Sequence, residues 1–249
     1  MSPLYATLLV ALGLAPSLIW LSFYLRKDCH PEPKQILTRA FLMGIIISPL
    51  AVLLQLGFSG LRSITGLDIF GPGTYSFFLW SSFVEEFLKF FAVYLVIVRS
   101  PDFDEPVDGM VYMISAALGF AAIENILVMF NLIADGAGTA LNTLALRFVG
   151  ATLLHALASG LMGYFLAMSW FFRDHKKKLI FFGLIIATLF HAAFNMLIAF
   201  AQESATPVVG LVYTTFLLII LAFLVSILFD KIKERHIRSQ YPITKISNI

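Results

Sequence analysis

Seven runs of apolar residues, each about 20 long, are the strongest constraint on this chain, because that length carries a helix across a hydrocarbon core of ~30 Å. They run from Leu4 to Leu25, Ala40 to Phe58, Thr74 to Val98, Met110 to Ala134, Phe148 to Phe172, Leu179 to Phe200, and Val208 to Phe229. Only 13% of the residues are charged, against about a quarter in soluble domains. We therefore expect an all-α, polytopic transmembrane helical bundle of about seven spans. It is read as a single domain over residues 1–249, with its core motifs in 74–200 and a basic tail over 230–249. No polar stretch is long enough for a soluble domain, and no nucleic-acid partner is expected. The first run lacks a basic segment before it and exceeds a signal-peptide core, so it reads as a retained span.

Lysine and arginine set the orientation. The first connection, the fifth connection and the tail hold four, four and five of them. In a seven-helix protein these three segments share one side, which the positive-inside rule assigns to the cytoplasm. The expectation is N-terminus out, C-terminus in, in a multi-pass protein of the cell membrane, of the bacterial cytoplasmic type. One segment, Thr139 to Arg147, suits a turn of interfacial helix before the fifth span. The lone cysteine, Cys29, excludes an internal disulfide, and with His30 it is too little for a zinc site.

Within the spans the ionisable residues are few: Glu85, Glu86 and Lys89 in the third, Glu124 in the fourth, His155 in the fifth and His191 in the sixth. A charge at the bilayer centre costs about 3 kcal/mol on insertion scales, so each is a candidate functional residue. Counted at 1.5 Å per residue, Glu85, Glu124, His155 and His191 fall in one layer, roughly 14 to 21 Å above the cytoplasmic boundary. Lys89 lies three and four residues from the glutamates, within reach of either along the helix. Adjacent carboxylates in an apolar setting do not both stay ionised unless a cation or metal compensates them, and such a pair suits acid/base work on water. His191 and Asn195 lie one turn apart, placed to bind an oxyanion or to hold and orient a metal ligand. Ser159, Gly160 and Gly163 follow His155 and allow close helix approach. A serine nucleophile at Ser159 is disfavoured, because Leu157 stands where a rhomboid-type motif has glycine.

These groups also suit a proton relay, so a proton-coupled transporter or channel is the alternative reading, although no repeated halves are visible. A bis-histidine haem carrier would leave three glutamates without a role.

The stretches "EEFLK" at 85–89, "DEPVDGMVY" running into "GFAAIEN" over 104–125, "HALASGLMG" at 155–163 and "HAAFN" at 191–195 resemble the PrsW-type intramembrane proteases. That group is related to the CAAX prenyl endopeptidases and bacteriocin self-immunity proteins. The resemblance covers the third to sixth spans, about half of the chain. It implies an intramembrane endopeptidase whose catalytic residues are Glu85, Glu86, Lys89, Glu124, His155, His191 and Asn195. By similarity, Glu85 with a neighbouring basic group activates water, while His191 and Asn195 bind the oxyanion. Where the CAAX-type enzymes carry Phe-x-x-x-His, this chain has Phe120 and Glu124, which leaves His155 to supply the imidazole. Glu124, His155 and His191 are the expected ligands if the chemistry uses zinc, and metal-free acid/base chemistry suits the same residues. The implied substrate is a membrane protein or peptide within the lipid bilayer, such as an anti-sigma factor.

Overall fold

The computed structural model describes residues 2–27, 32–96, 100–203 and 206–240. Cys29, His30 and the end of the basic tail from 241 lie outside the described residues. Seven long helices appear among them, as the apolar runs require: α1 (Pro3–Leu25), α2 (Lys34–Thr65), α3 (Tyr75–Val96), α4 (Asp108–Leu132), α6 (Ala151–Phe171), α7 (Lys176–Glu203) and α8 (Pro207–Gln240). Between α4 and α6 sits a 13-residue helix, α5 (Ala137–Val149), at the segment that suited an interfacial turn. Among the described residues, six segments are long and apolar enough to cross a membrane. Helix α3 has the length, at 22 residues, but Glu85, Glu86 and Lys89 interrupt its apolar composition. The chain is a polytopic helical membrane bundle.

Helix α4 is the axis of the bundle. Every residue from Asp108 to Ala122 is buried, the pattern of a helix enclosed on all sides. Its neighbours are α6, α2 and α1, with α3 and α5 also in contact. Glycine makes the tight crossings possible. On α2, a Cβ at Gly44 would lie 1.9 Å from the carbonyl oxygen of Ala116, and on α4 a Cβ at Gly119 would lie 1.9 Å from that of Phe41. Gly163 of α6 meets the Gly109 carbonyl of α4 in the same way, at 2.6 Å. Small residues drive helix association in lipid because van der Waals contact replaces the hydrophobic effect there. The outward faces carry large exposed side chains, among them Ile46, Leu53, Phe216 and Phe223, which suit contact with acyl chains.

The acidic segment before α4 folds back on its own helix start. Asp108 is fully buried, and its Oδ2 accepts the backbone N–H groups of Asp104 at 3.1 Å and Glu105 at 2.8 Å. Tyr112, one turn on, donates to the Asp102 carbonyl at 2.9 Å and to the Glu32 carboxylate. Asp108→Ala is expected to destabilise the protein by about 1–3 kcal/mol, the cost of stranding buried donors. Thermal unfolding in detergent checks it.

Candidate active site

Helix α3 answers why an apolar span keeps three charges. Ser82, Glu85, Glu86 and Lys89 recur at helical spacing on its inner face and are all buried. Phe83, Phe87 and Phe91 occupy the outer face, stacked on one another at centroid distances of 5.9 and 6.1 Å and exposed by about two-fifths. The same ten residues, 82–91, therefore present aromatics to lipid and ions to the interior.

Glu86 is the hub of the interior. Its Oε1 accepts Lys89 Nζ at 2.7 Å and pairs with His191 Nδ1 at 2.9 Å, while its Oε2 accepts the Ser159 hydroxyl at 2.7 Å. Ser159 is thus committed to a carboxylate. Lys89, with no exposed surface, reaches His155 Nδ1 at 2.7 Å and lies 4.8 Å from the centroid of the Phe120 ring. An ammonium has only protons to give, so Nδ1 of His155 is the acceptor and the ring proton sits on Nε2. That nitrogen lies 3.0 Å from Glu124 Oε2. By the same reasoning His191 holds its proton on Nδ1 against Glu86, and its Nε2 lone pair is left facing inward.

Glu85 differs from its neighbour because successive helix positions point about 100° apart. Its Oε1 accepts the Gln55 amide of α2 at 3.0 Å. Its Oε2 is buried and has no hydrogen-bond partner. That oxygen lies 3.7 Å from His191 Nε2, 3.8 Å from Lys89 Nζ and 3.9 Å from His155 Nδ1. The two imidazoles stand edge to face with centroids 5.0 Å apart. Asn195, one turn beyond His191, donates to Ser82 Oγ at 3.4 Å.

Six of the seven expected catalytic residues, Glu85, Glu86, Lys89, Glu124, His155 and His191, are linked to one another, and Asn195 stands beside them on Ser82 of the same α3 face. The ligand grouping is different from the expected one. Glu124 meets His155 at Nε2, at 3.0 Å, and is not grouped with both rings. It is turned to the far side of His155, where its Oε2 also accepts Arg147 Nη2 at 2.8 Å. Glu85, His155 and His191 are the trio whose ligand atoms lie within 4.8 Å of one another.

A metal fits these three. One carboxylate and two imidazoles are a usual donor set for zinc with room for water, and the buried Glu85 Oε2 accepts no hydrogen bond, having only the long 3.8 Å ion pair to Lys89. Glu86 on the remote nitrogen of His191 supplies the carboxylate that commonly orients a ligating histidine. His155 has one Nδ1 lone pair, so coordination there and the bond from Lys89 exclude each other.

Three participants, Gln55, Arg147 and Ser82, carry little signal in the sequence. Gln55 was visible as an amide in an otherwise apolar span, a recognised mark of interhelical bonding. Arg147 falls in a connection between apolar runs, and it reaches the site because α5 lies against α4, where its Nε also donates to Asn125 Oδ1 at 2.7 Å. The end of α5 is fixed by Trp20 of α1, which donates to the Phe148 carbonyl at 2.8 Å. Ser82 had no distinguishing signal.

Taken together, the bundle and its buried carboxylate–imidazole cluster fit a membrane-embedded hydrolase. Comparison with known sequences specifies it further: the family described as PrsW family intramembrane metalloprotease matches residues 32–226. The chain is 32% identical over 191 residues to a protein named Protease PrsW from Geobacillus kaustophilus, covering 76% of this chain and 79% of that one. It is 31% identical over 192 residues to Protease PrsW from Bacillus subtilis, covering 76% and 82%. No solved structure matches it. This chain belongs to the PrsW family, and it is an intramembrane protease. Of the two readings of the Glu and His row, proteolysis is the one the family shows.

Proposed function

We propose that Glu85, His155 and His191 hold a zinc ion and that the seven-residue cluster hydrolyses a peptide bond of a single-span regulatory protein, such as an anti-sigma factor, in a bacterial cytoplasmic membrane. The observation that carries this reading is the buried Oε2 of Glu85, which accepts no hydrogen bond, facing both imidazoles. When bound, zinc supplies Lewis acidity and a nucleophilic water at neutral pH. The protein does the rest. Glu86 keeps the His191 proton on Nδ1 and so aims Nε2 inward. Gln55 fixes the rotation of the Glu85 carboxylate. Asn195 offers an amide donor to the oxyanion, one turn from His191. Glu124 is the most exposed carboxylate of the cluster, with 27% of its side chain open, and Arg147 balances its charge; it exchanges protons between the cluster and water. Lys89 withdraws from His155 toward Glu86 when the imidazole takes up its ligand role.

Metal analysis of detergent-purified protein, run beside cleavage of a single-span reporter, tests the proposal. About one zinc per chain is expected, with cleavage stopped by a chelator and restored by zinc. His191→Ala is expected to lose both metal and cleavage while remaining folded. Full cleavage in metal-free protein, or retained cleavage in both Glu85→Ala and His191→Ala, would reject it.

A further inference from the structure

Helix α8 is longer than a membrane is thick. Its 34 residues span about 51 Å, against a core of ~30 Å. The excess lies at the C-terminal end, where the predicted span stops at Phe229 and the helix runs on through Lys231, Lys233, Arg235 and Arg238. This is the end of the bundle that the positive-inside rule assigns to the cytoplasm.

Between this extension and α6 lies a cavity of about 710 Å³ that shares no lining residue with the active site. Its two ends differ in chemistry. Tyr164, Met168 and Phe171 form the α6 wall and are half-buried, while Lys231, Arg235 and Arg238 bring exposed cationic heads to the mouth. Glu234 also lines it and lies 3.8 Å from Arg238, which leaves the mouth with a net positive charge. Arg235 is held in place, its guanidinium stacked 5.0 Å from the Phe171 ring centroid and 4.6 Å from that of Phe172. Such stacking orients the guanidinium while leaving its N–H groups able to meet an anion.

The wall from Phe171 back to Tyr164 extends two turns, about 10 Å, toward the membrane interior. A soluble anion would use the cationic mouth and leave that wall bare. A neutral lipid would cover the wall and leave the cations unmatched. A molecule carrying both a phosphate and an acyl chain matches both ends, and basic pockets between helices on the cytoplasmic side are a known form of anionic headgroup site.

We propose that the α6–α8 cavity binds one anionic phospholipid, its phosphate on Arg235, Arg238 and Lys231 and its acyl chain against Tyr164, Met168 and Phe171. The site ties the end of α8 to the bilayer surface.

Native mass spectrometry and thermal unfolding of the detergent-purified full chain test this, with phosphatidylglycerol, phosphatidylcholine and inorganic phosphate as the probes. Phosphatidylglycerol is expected to remain bound as a single copy and to raise the unfolding temperature, and the other two are not. In R235Q/R238Q its affinity is expected to fall roughly thirtyfold, since each basic residue near the surface contributes about a fivefold factor. Met168→Trp fills the apolar end with the cations intact, and it is expected to weaken the lipid as well; it carries the test if the double variant misfolds. K177Q/K178Q, on the same side but outside the cavity, is expected to bind normally. The proposal is overturned if inorganic phosphate protects as well as the lipid, or if Met168→Trp retains full lipid affinity. Equal weakening in K177Q/K178Q would also overturn it.

Discussion

Replacing Glu85 by glutamine is expected to lower peptide-bond cleavage by about 10³-fold, a loss within the range for removing a catalytic carboxylate, and to leave the helical bundle folded. Glutamine keeps the size of the side chain, and its amide oxygen can still accept the Gln55 bond that Glu85 Oε1 accepts at 3.0 Å. What it removes is the charge at Oε2, the buried oxygen between His155 and His191. The neighbouring position behaves differently. Glu86 has both oxygens engaged, by Lys89, His191 and Ser159, so its loss strands a buried ammonium as well as disorienting an imidazole. Cleavage of a single-span reporter, measured beside the unfolding temperature, separates the two. For Glu85→Gln the rate falls and the temperature holds. A comparable drop in both quantities would assign Glu85 a packing role instead.

The second large effect is on assembly. Gly119→Ala is expected to destabilise the bundle by at least about 3 kcal/mol, the upper range for overpacking, because the new Cβ would lie 1.9 Å from the Phe41 carbonyl oxygen. That neighbour is backbone and cannot rotate away, so α2 and α4 must separate. Gly44→Ala makes the reciprocal clash with Ala116. Both variants open the same gap, so the double variant is expected to cost less than the sum of the singles. Gly57→Ala, on α2 with nothing within 4 Å of the new Cβ, is the control and is expected to be neutral or slightly stabilising. Unfolding temperatures of the four proteins check the set. Separation of α2 from α4 also draws Gln55 away from Glu85, so cleavage is expected to fall with stability in the Gly119 and Gly44 variants.

The family resemblance rests on local signals, and they read well from the chain alone. The Glu-Glu-x-x-Lys stretch places Lys89 beside Glu86 by helix geometry, and the pair is found at 2.7 Å. The common depth of Glu85, Glu124, His155 and His191 follows from counting residues along spans, and the four do converge. The helix ends were less legible. Helix α2 begins six residues before its apolar run and ends seven after it, because an interfacial turn needs no apolar side chains to stay helical. The acidic stretch before α4 reads as a favourable helix start, yet only the fold shows Asp108 buried and bonded back to Asp104 and Glu105.

The sequence by itself determined that this chain crosses a membrane several times and carries carboxylates and imidazoles at one depth, since hydrophobic length and the cost of burying charge act residue by residue. The tertiary structure alone decided which carboxylate faces both rings. Glu124 and Glu85 are equally acidic and at similar depth, but the rotation of each helix about its axis is set by its neighbours: glycine contacts seat α2 against α4, and α5 brings Arg147 to Glu124. Rotation changes by about 100° per residue, so a displacement invisible in any local pattern selects the group that meets the histidines.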